Sequence, residues 1–208
     1  MVVADLAAER AQRCASRLKE SGIEALAAAV DVGDEEQVRR LFDTAIDRFG
    51  AVDAVVNSAA IDVTAPIAEL SAADWERIVR TNLNGVFLVA RRACAAMRER
   101  GGAIVNIAST ASKRAWPNAS AYHATKWGVL GLSHALHAEL RPQGIKVCAI
   151  VAGGMRTPFL LDRFPDIDPS LLQDPRNVAR AIRFVLEQPA ETVIPEMMVL
   201  PMRETSWP

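Results

Sequence analysis

The chain has 208 residues, half of them hydrophobic, and a formal net charge of -1. That length can bury the core of one α/β domain, residues 1–208, and the near-neutral mixture of charges argues against a nucleic-acid partner. Three widely spaced cysteines indicate neither a disulfide framework nor a cysteine metal site. No apolar run approaches membrane-spanning length and the N-terminus lacks a basic-then-apolar pattern, so we expect a cytoplasmic protein with no membrane partner.

Strand-like apolar runs alternate with helix-like periodic segments along the chain. Strands are predicted at residues 2–5, 25–30, 52–57, 103–108, 145–151 and 197–200. Helices are predicted at residues 7–20, 34–49, 71–98 and 177–187, together with one that contains Tyr122 and ends near Arg141. Capping boxes are predicted at Asp34-x-x-Gln37 and Ser71-x-x-Asp74. The alternation is typical of an α/β fold with a doubly wound parallel sheet.

The only tyrosine, Tyr122, is followed four residues later by Lys126 and preceded by Ser109 at the end of a predicted strand. If Tyr122 and Lys126 share a helix, they lie on one face, one turn apart. A phenol titrates near pH 10, and a neighbouring ammonium would lower its pKa by Coulomb attraction. Ser109 could then polarise a carbonyl oxygen while Tyr122 exchanges its proton. The alternative is a surface Tyr-Lys pair with no chemical role.

Further motifs stand in an order and spacing that resembles the classical short-chain dehydrogenases/reductases over nearly the whole chain. They are Asp31-Val32, Asn57-Ser58-Ala59-Ala60, Thr81-Asn82-Leu83-Asn84-Gly85, Ser109, Tyr122-x-x-x-Lys126 and Ala152-Gly153-Gly154-Met155-Arg156-Thr157. The resemblance implies a Rossmann-like fold and an NAD(P)-dependent oxidoreductase that interconverts an alcohol and a ketone or aldehyde. Among named members, the 3-oxoacyl-thioester reductases are the nearest in kind.

The resemblance also implies a role for each residue. Tyr122 would be the general acid/base, Lys126 would lower its pKa and bind the nicotinamide ribose, Ser109 would orient the oxygen, and Asn82 would hold a water of the proton relay. Cofactor contacts are implied for Asp5, Asp31, Val32, Asn57, Ala59, Tyr122, Lys126, Gly153 and Thr157. No metal site is expected, although His134-x-x-His137 has metal-compatible spacing, because no further ligand type converges on it.

Several of these residues have a plainer interpretation. Asn82 could be a polar residue that kinks its helix, and Asn57 a turn former at the end of a strand. Gly153-Gly154 could serve only a tight turn, since Ala152 replaces the proline of the family pattern. Ser58 and Ala60 also depart from that pattern, and the Ala60 methyl stands where glycine would allow the closest approach of a cofactor.

The family's Gly-rich turn lies about twenty residues before an acidic strand end, which here is Asp5. The turn and its strand would therefore precede Met1, and that strand is central in the family's sheet, between the strands that end at Asp5 and Asn57. We expect either a chain that begins at an internal Met of a longer protein or a degraded copy. On its own the chain is expected to be poorly stable and to bind dinucleotides weakly. The alternative to an enzyme is an inactive paralogue that acts as a non-catalytic subunit or binding module.

NAD is expected to be preferred over NADP, because the Asp5 carboxylate can accept bonds from ribose hydroxyls and repels a 2′-phosphate. Residues 152–175 are predicted to form an irregular lid whose apolar side chains suggest an acyl, steroid-like or cyclic substrate. Assembly as a homotetramer or homodimer through the Trp75 and Tyr122 helices is implied by the resemblance alone.

Overall fold

The computed structural model describes residues 1–204 and shows an α/β fold in which strands and helices alternate. The strands are β1 Val2–Asp5, β2 Leu26–Ala29, β3 Ala54–Asn57, β4 Gly102–Ser109, β5 Ile145–Ala152 and β6 Glu196–Val199. The α-helices are α1 Ala8–Glu20, α2 Glu35–Phe49, α3 Ala72–Val79, α4 Gly85–Met97, α5 Ser120–Leu140, α6 Pro158–Leu161 and α7 Pro175–Leu186. The predicted fold class is confirmed, while the last four residues of the predicted domain lie outside the described part.

All pairings between these strands are parallel, and they form two sheets. One sheet contains β1 and β2, and the other has the order β3-β4-β5-β6. The division falls between the strands that end at Asp5 and Asn57, where the sequence predicted a discontinuity. At this boundary β3 is partly open to solvent, with Val56 42% exposed, whereas β5 is almost wholly buried.

Helices cover both faces of the four-stranded sheet. On one face Phe42 of α2 and Val89 of α4 pack with Ile104 of β4 in a buried cluster. On the other face Val178 and Val185 of α7 pack against β4 and β5. Burial on both faces explains why β4 and β5 read as nearly continuous apolar runs, as is typical of parallel strands. Because β3, β4 and β5 are parallel, their carboxyl ends meet at one edge of the sheet.

The helix starts follow the predicted caps with one difference. The Ser71 hydroxyl accepts a hydrogen bond from the Asp74 N–H (3.0 Å) at the start of α3. The Asp34 carboxylate likewise accepts from the Gln37 N–H (3.0 Å) at the start of α2. The Gln37 side chain, however, accepts from the Asp31 N–H, and the Asp74 carboxylate accepts from the Ser71 hydroxyl. Neither predicted capping box therefore shows its reciprocal bond among the described residues.

The helix predicted over residues 71–98 is interrupted by a π-helical segment, Arg80–Asn84. This segment separates α3 from α4 and contains Asn82, whose side chain is buried. Such wide turns within helices are often found at functional sites, since they turn one side chain out of the regular helical pattern. Within residues 1–204 no helix has the length and apolar character needed to cross a membrane.

Candidate active site

A cavity of about 830 Å³ opens at the carboxyl edge of the four-stranded sheet. Ser109 is the last residue of β4 and pairs in register with Ala152, the last residue of β5. Tyr122 and Lys126 lie one turn apart in α5, and all four residues line the cavity. Ser109, Tyr122 and Lys126 therefore share one site, as the motif predicted.

A short 3₁₀ turn, Thr110–Ser112, holds Ser109 in place. The Ser109 hydroxyl accepts a hydrogen bond from the Ala111 N–H (3.2 Å), and the Ser109 N–H donates to the Ser112 hydroxyl (3.3 Å). The Ser112 hydroxyl in turn donates to the Lys126 carbonyl oxygen (2.8 Å). The end of β4 is thus fastened to α5, which fixes the serine hydroxyl relative to the Tyr122 phenol.

Burial raises the pKa of Tyr122 to about 12, although a hydrogen bond with Ser109 acts in the opposite direction. The Asp62 carboxylate raises the pKa further, and the Arg163 guanidinium lowers it. The sequence predicted a lowered pKa, and the structure shows the opposite shift. The physical reason is that burial removes the phenolate from water. This costs more free energy than the Ser109 hydrogen bond and the Arg163 charge restore. Tyr122 is therefore a neutral phenol at pH 7.

Because Tyr122 is the only tyrosine, its ionisation can be followed directly by ultraviolet absorbance. We expect the phenol to remain protonated through pH 10, the ordinary value for tyrosine. The folded state then holds one proton more than the unfolded state between pH 10 and about 12, so stability decreases as the pH rises through that range. The Tyr122→Phe variant gives the absorbance baseline. A tyrosinate transition below pH 10 in the folded protein would contradict this prediction.

Lys126 is 4% exposed, and its ammonium donates a hydrogen bond to the Ile107 carbonyl oxygen (2.7 Å). Burial lowers its pKa from 10.5 to about 8. The ammonium nitrogen lies 5.6 Å from the centroid of the Tyr122 ring. Since a pKa of about 8 leaves the group mostly charged at pH 7, the site combines a neutral phenol with a nearby buried cation.

Asn82 braces the loop that follows β3. Its side-chain oxygen accepts from the Ile61 N–H (2.8 Å), and its amide donates to the Ile61 carbonyl oxygen (2.8 Å) and to the Thr125 hydroxyl (3.3 Å). Asn82 thus joins the π-helical segment, the loop and α5. These contacts agree with the plainer interpretation of a polar residue at a helix irregularity, and its role in a proton relay stays a prediction.

The other predicted cofactor residues divide into two groups. Gly153 and Thr157 line the cavity, next to Ala152. Asn57 does not line the cavity, and its amide donates to the Asn106 side chain on β4 (2.8 Å).

The remaining predicted cofactor contacts are not among the residues that line the cavity, although Ala59 lies between two that do, Ser58 and Ala60. The Asp5 carboxylate at the end of β1 accepts from the Ala7 N–H (2.8 Å). Asp31 pairs with Arg80 (2.8 Å), and Val32 lies close to Gly85. Ala59 is exposed. The cavity therefore tests none of these four assignments, which stay predictions.

Three charged residues of the cavity were not identified from the sequence: Asp62, Arg163 and Glu204. Asp62 forms an ion pair with Arg163, and the Glu204 carboxylate accepts from the Gly154 N–H (3.2 Å). Asp62 follows the Asn57-Ser58-Ala59-Ala60 motif by two residues, which was a usable signal. Neither Arg163 nor Glu204 belongs to a motif, so only the tertiary structure reveals them.

Residues 1–168 match the family model described as short chain dehydrogenase. The chain therefore belongs to the short-chain dehydrogenase family, as its motifs indicated. The fold and the clustering of Ser109, Tyr122 and Lys126 agree with that membership.

Two curated relatives show how similar the chain is to members with named activities. It is 38% identical over 160 residues to 3beta-hydroxysteroid dehydrogenase 1 of Eggerthella lenta, a match that covers 76% of this chain and 61% of that protein. It is 34% identical over 204 residues to the cis-4-hydroxycyclohexanecarboxylate dehydrogenase of Sinomonas cyclohexanicum, covering 93% of this chain and 82% of that protein.

Among solved structures, the fold resembles the 3-ketoacyl-(acyl-carrier-protein) reductase of Brucella melitensis complexed with NADH. The TM-score is 0.88 at 30% identity, and the match covers 97% of this chain and 86% of that one.

Proposed function

We propose that the protein is an NAD(P)-dependent oxidoreductase that interconverts an alcohol and a ketone, with Tyr122 as the general acid/base. The observation that carries this proposal is the hydrogen bond between Ser109 and Tyr122 at the wall of a cavity that also contains the buried Lys126 ammonium. Hydroxyl, phenol and cation together can hold a carbonyl oxygen and supply its proton.

The protonation state of Tyr122 favours reduction of a carbonyl. Because burial keeps the phenol neutral at pH 7, Tyr122 is in the form that can donate a proton to a carbonyl oxygen. Ser109 can donate a second hydrogen bond to the same oxygen once the carbonyl oxygen replaces the Tyr122 oxygen as its acceptor, since the bond from the Ala111 N–H does not use the hydroxyl proton. In the reverse direction, the oxygen of the alcohol would return its proton to the Tyr122 oxygen.

The residues at the cavity suit the nicotinamide end of a dinucleotide, which when bound would supply or accept the hydride. Lys126 uses one N–H on the Ile107 carbonyl, and an ammonium has three such donors, so it could also bind ribose hydroxyls. The Gly154 N–H already holds one acceptor, the Glu204 carboxylate, and the same donor suits a carboxamide oxygen. Glu204 would compete for that donor.

The cavity walls favour a substrate with an apolar body. Phe159, Leu160 and Phe164 of the predicted lid line the cavity, and the Phe159 ring lies 5.8 Å from the Tyr122 ring, centroid to centroid. The names of the similar proteins refer to a hydroxysteroid, a hydroxycyclohexanecarboxylate and a ketoacyl group. We propose a cyclic ketone as the substrate type, with a 3-oxoacyl thioester as the narrower alternative.

The proposal is tested with the purified protein. NADH consumption is measured with a panel of cyclic ketones and 3-oxoacyl thioesters, and NADH binding is measured separately by calorimetry. Saturable ketone-dependent oxidation of NADH supports the proposal. Binding of neither NADH nor NADPH, with no turnover of any ketone, would instead support the non-catalytic paralogue.

NADH is predicted to be preferred over NADPH by at least about tenfold in kcat/KM. The Asp5 carboxylate at the end of β1 uses one oxygen on the Ala7 N–H, and a carboxylate has further acceptor capacity for ribose hydroxyls. A 2′-phosphate would be repelled by the same charge. The Asp5→Ser variant is expected to lower the ratio of kcat/KM with NADH to that with NADPH. Glu9→Ser, on the exposed face of α1, is the matched control and is expected to leave this ratio unchanged. A tenfold preference for NADPH in the unmodified protein would contradict the assignment.

We also propose a homotetramer or homodimer assembled through α3, α4 and α5. Each of these helices leaves a large hydrophobic side chain exposed, namely Trp75, Phe87 and Trp127. Light scattering on the eluting protein gives the assembly mass. A monomer at micromolar concentration would count against this assembly.

A further inference from the structure

A buried ion pair lies at the cavity wall close to Tyr122. Asp62 comes from the loop after β3, and Arg163 follows α6, which is 101 residues further along the chain. Their side chains are 4% and 22% exposed, respectively. Both residues line the cavity that contains Ser109 and Tyr122, so the pair faces the space where a substrate would lie.

Only half of the Asp62 carboxylate has a partner. Its Oδ2 atom pairs with Arg163, whereas the buried Oδ1 atom has no hydrogen-bond partner among residues 1–204. Buried carboxylate oxygens are normally hydrogen-bonded, because an unsatisfied one loses its hydration without compensation. Asp62 lines the cavity, but its Oδ1 atom has almost no accessible surface, so a ligand can supply the missing donor once the side chain turns Oδ1 toward the cavity.

Arg163 is held by contacts that keep it on the protein. Its Nε atom donates to the Phe159 carbonyl oxygen (2.8 Å), and the guanidinium lies 4.3 Å from the centroid of the Phe159 ring. A second ring, that of Phe164, is 5.4 Å from the guanidinium. With its charge matched by Asp62, Arg163 is poorly placed to receive an anionic substrate.

Much of the rest of the cavity wall is apolar, which makes its polar positions selective. Apolar side chains such as Ile107, Trp116, Leu160 and Leu172 line the cavity. A polar group of the substrate that reaches these side chains would lose its hydration without a new partner. A hydroxyl that reaches Asp62 Oδ1 instead avoids this loss, because it can donate a hydrogen bond to that atom.

We infer that Asp62 determines specificity by accepting, through Oδ1, a hydrogen bond from a substrate hydroxyl remote from the reacting carbonyl. The substrate class is then a hydroxylated cyclic ketone, or the corresponding diol in the oxidative direction. This inference rests on the proposed function, since it concerns the same cavity. It disfavours substrates whose remote group is a free carboxylate, because that group has no proton to donate to Oδ1.

The test compares cyclohexanone with the hydroxycyclohexanone whose hydroxyl lies opposite the carbonyl. A site built to bind a substrate hydroxyl discriminates strongly against the analogue without it. We expect kcat/KM to favour the hydroxyketone by about a hundredfold, and in Asp62→Ala this ratio is expected to fall to about threefold or less. Asp166→Ala changes an exposed carboxylate outside the cavity lining and is expected to keep the ratio of the unmodified protein.

A purely structural ion pair would behave differently, because its loss would lower kcat/KM for both ketones together and leave the ratio unchanged. Asp62→Ala also leaves the Arg163 charge without its carboxylate partner. The double variant Asp62→Leu, Arg163→Met removes both charges and is expected to show the same fall in the ratio of the two kcat/KM values. An unchanged ratio in both variants would overturn the inference while the proposed function stands.

Binding of the matching cyclohexanediol is followed by saturation-transfer NMR, which requires no turnover. If the unmodified protein turns over neither ketone, this binding measurement alone decides the inference, while the wider panel of ketones and the cofactor titrations decide the proposed function. Diol binding that is lost in Asp62→Ala and kept in Asp166→Ala supports it. Equal diol binding by all three proteins, or by none, overturns it.

Discussion

Tyr122→Phe is expected to lower kcat/KM for ketone reduction by about a thousandfold, or roughly 4 kcal/mol in transition-state stabilisation. The substitution removes the oxygen that donates the proton and keeps the ring that packs beside Phe159. The hydrogen bond to Ser109 is lost as well. Steady-state kinetics with the best ketone of the panel measure the effect.

Folding and cofactor affinity separate this effect from structural damage. We expect Tyr122→Phe to melt within a few degrees of the unmodified protein and to bind NADH with similar affinity, because the phenol oxygen contributes little to packing. Trp127→Phe, on the exposed face of the same helix, is the control for altering an aromatic residue of α5. Turnover by Tyr122→Phe within about threefold of the unmodified protein would show that the proton comes from another group.

Much of this site could be predicted because its signals are local. The Tyr122-Lys126 spacing implies one helix face, and α5 places both residues at the cavity. Ser109 ends an apolar run, and a run buried on both faces of a parallel sheet must carry its last residue to the edge where ligands bind. Most strand and helix bounds agree closely for the same reason, since apolar periodicity determines them. Two predictions were wrong: the helix over residues 71–98 is interrupted, and the lid predicted to be irregular contains α6.

The remaining features depend on packing that no local pattern describes. The Asp62–Arg163 pair joins positions 101 residues apart. In the π-helical segment Arg80–Asn84, Asn82 is hydrogen-bonded to Ile61 and Thr125. The apolar periodicity continues through this segment, so the sequence pattern predicts an uninterrupted helix there. The pKa of Tyr122 was predicted in the wrong direction, because the charge of Lys126 can be read from the sequence whereas the burial of the phenol cannot.

Lys126→Met is expected to abolish most of the activity and to stabilise the fold at neutral pH. Burial lowers the pKa of Lys126 from 10.5 to about 8, which corresponds to a cost on the order of 3 kcal/mol for keeping the charged form buried at pH 7. Methionine fills similar space without a charge, and loss of the bond to the Ile107 carbonyl offsets part of the gain. We therefore expect the free energy of unfolding to rise by about 1–2 kcal/mol at pH 7.

The pH dependence of that gain identifies its origin. Between pH 8 and 10.5 the unfolded protein holds the Lys126 proton and the folded protein has released it, so the contribution of Lys126 to stability increases with pH over this range. Chemical denaturation at several pH values should show the advantage of Lys126→Met shrinking as the pH rises from 8 to 10.5. Lys146→Met, in which the lost ammonium had bonded to the Gln188 carbonyl outside the cavity, is the control for turnover and should remain active. If Lys126→Met were less stable than the unmodified protein at pH 7, the ammonium would stabilise the fold, and its burial would not be a cost that the reaction alone explains.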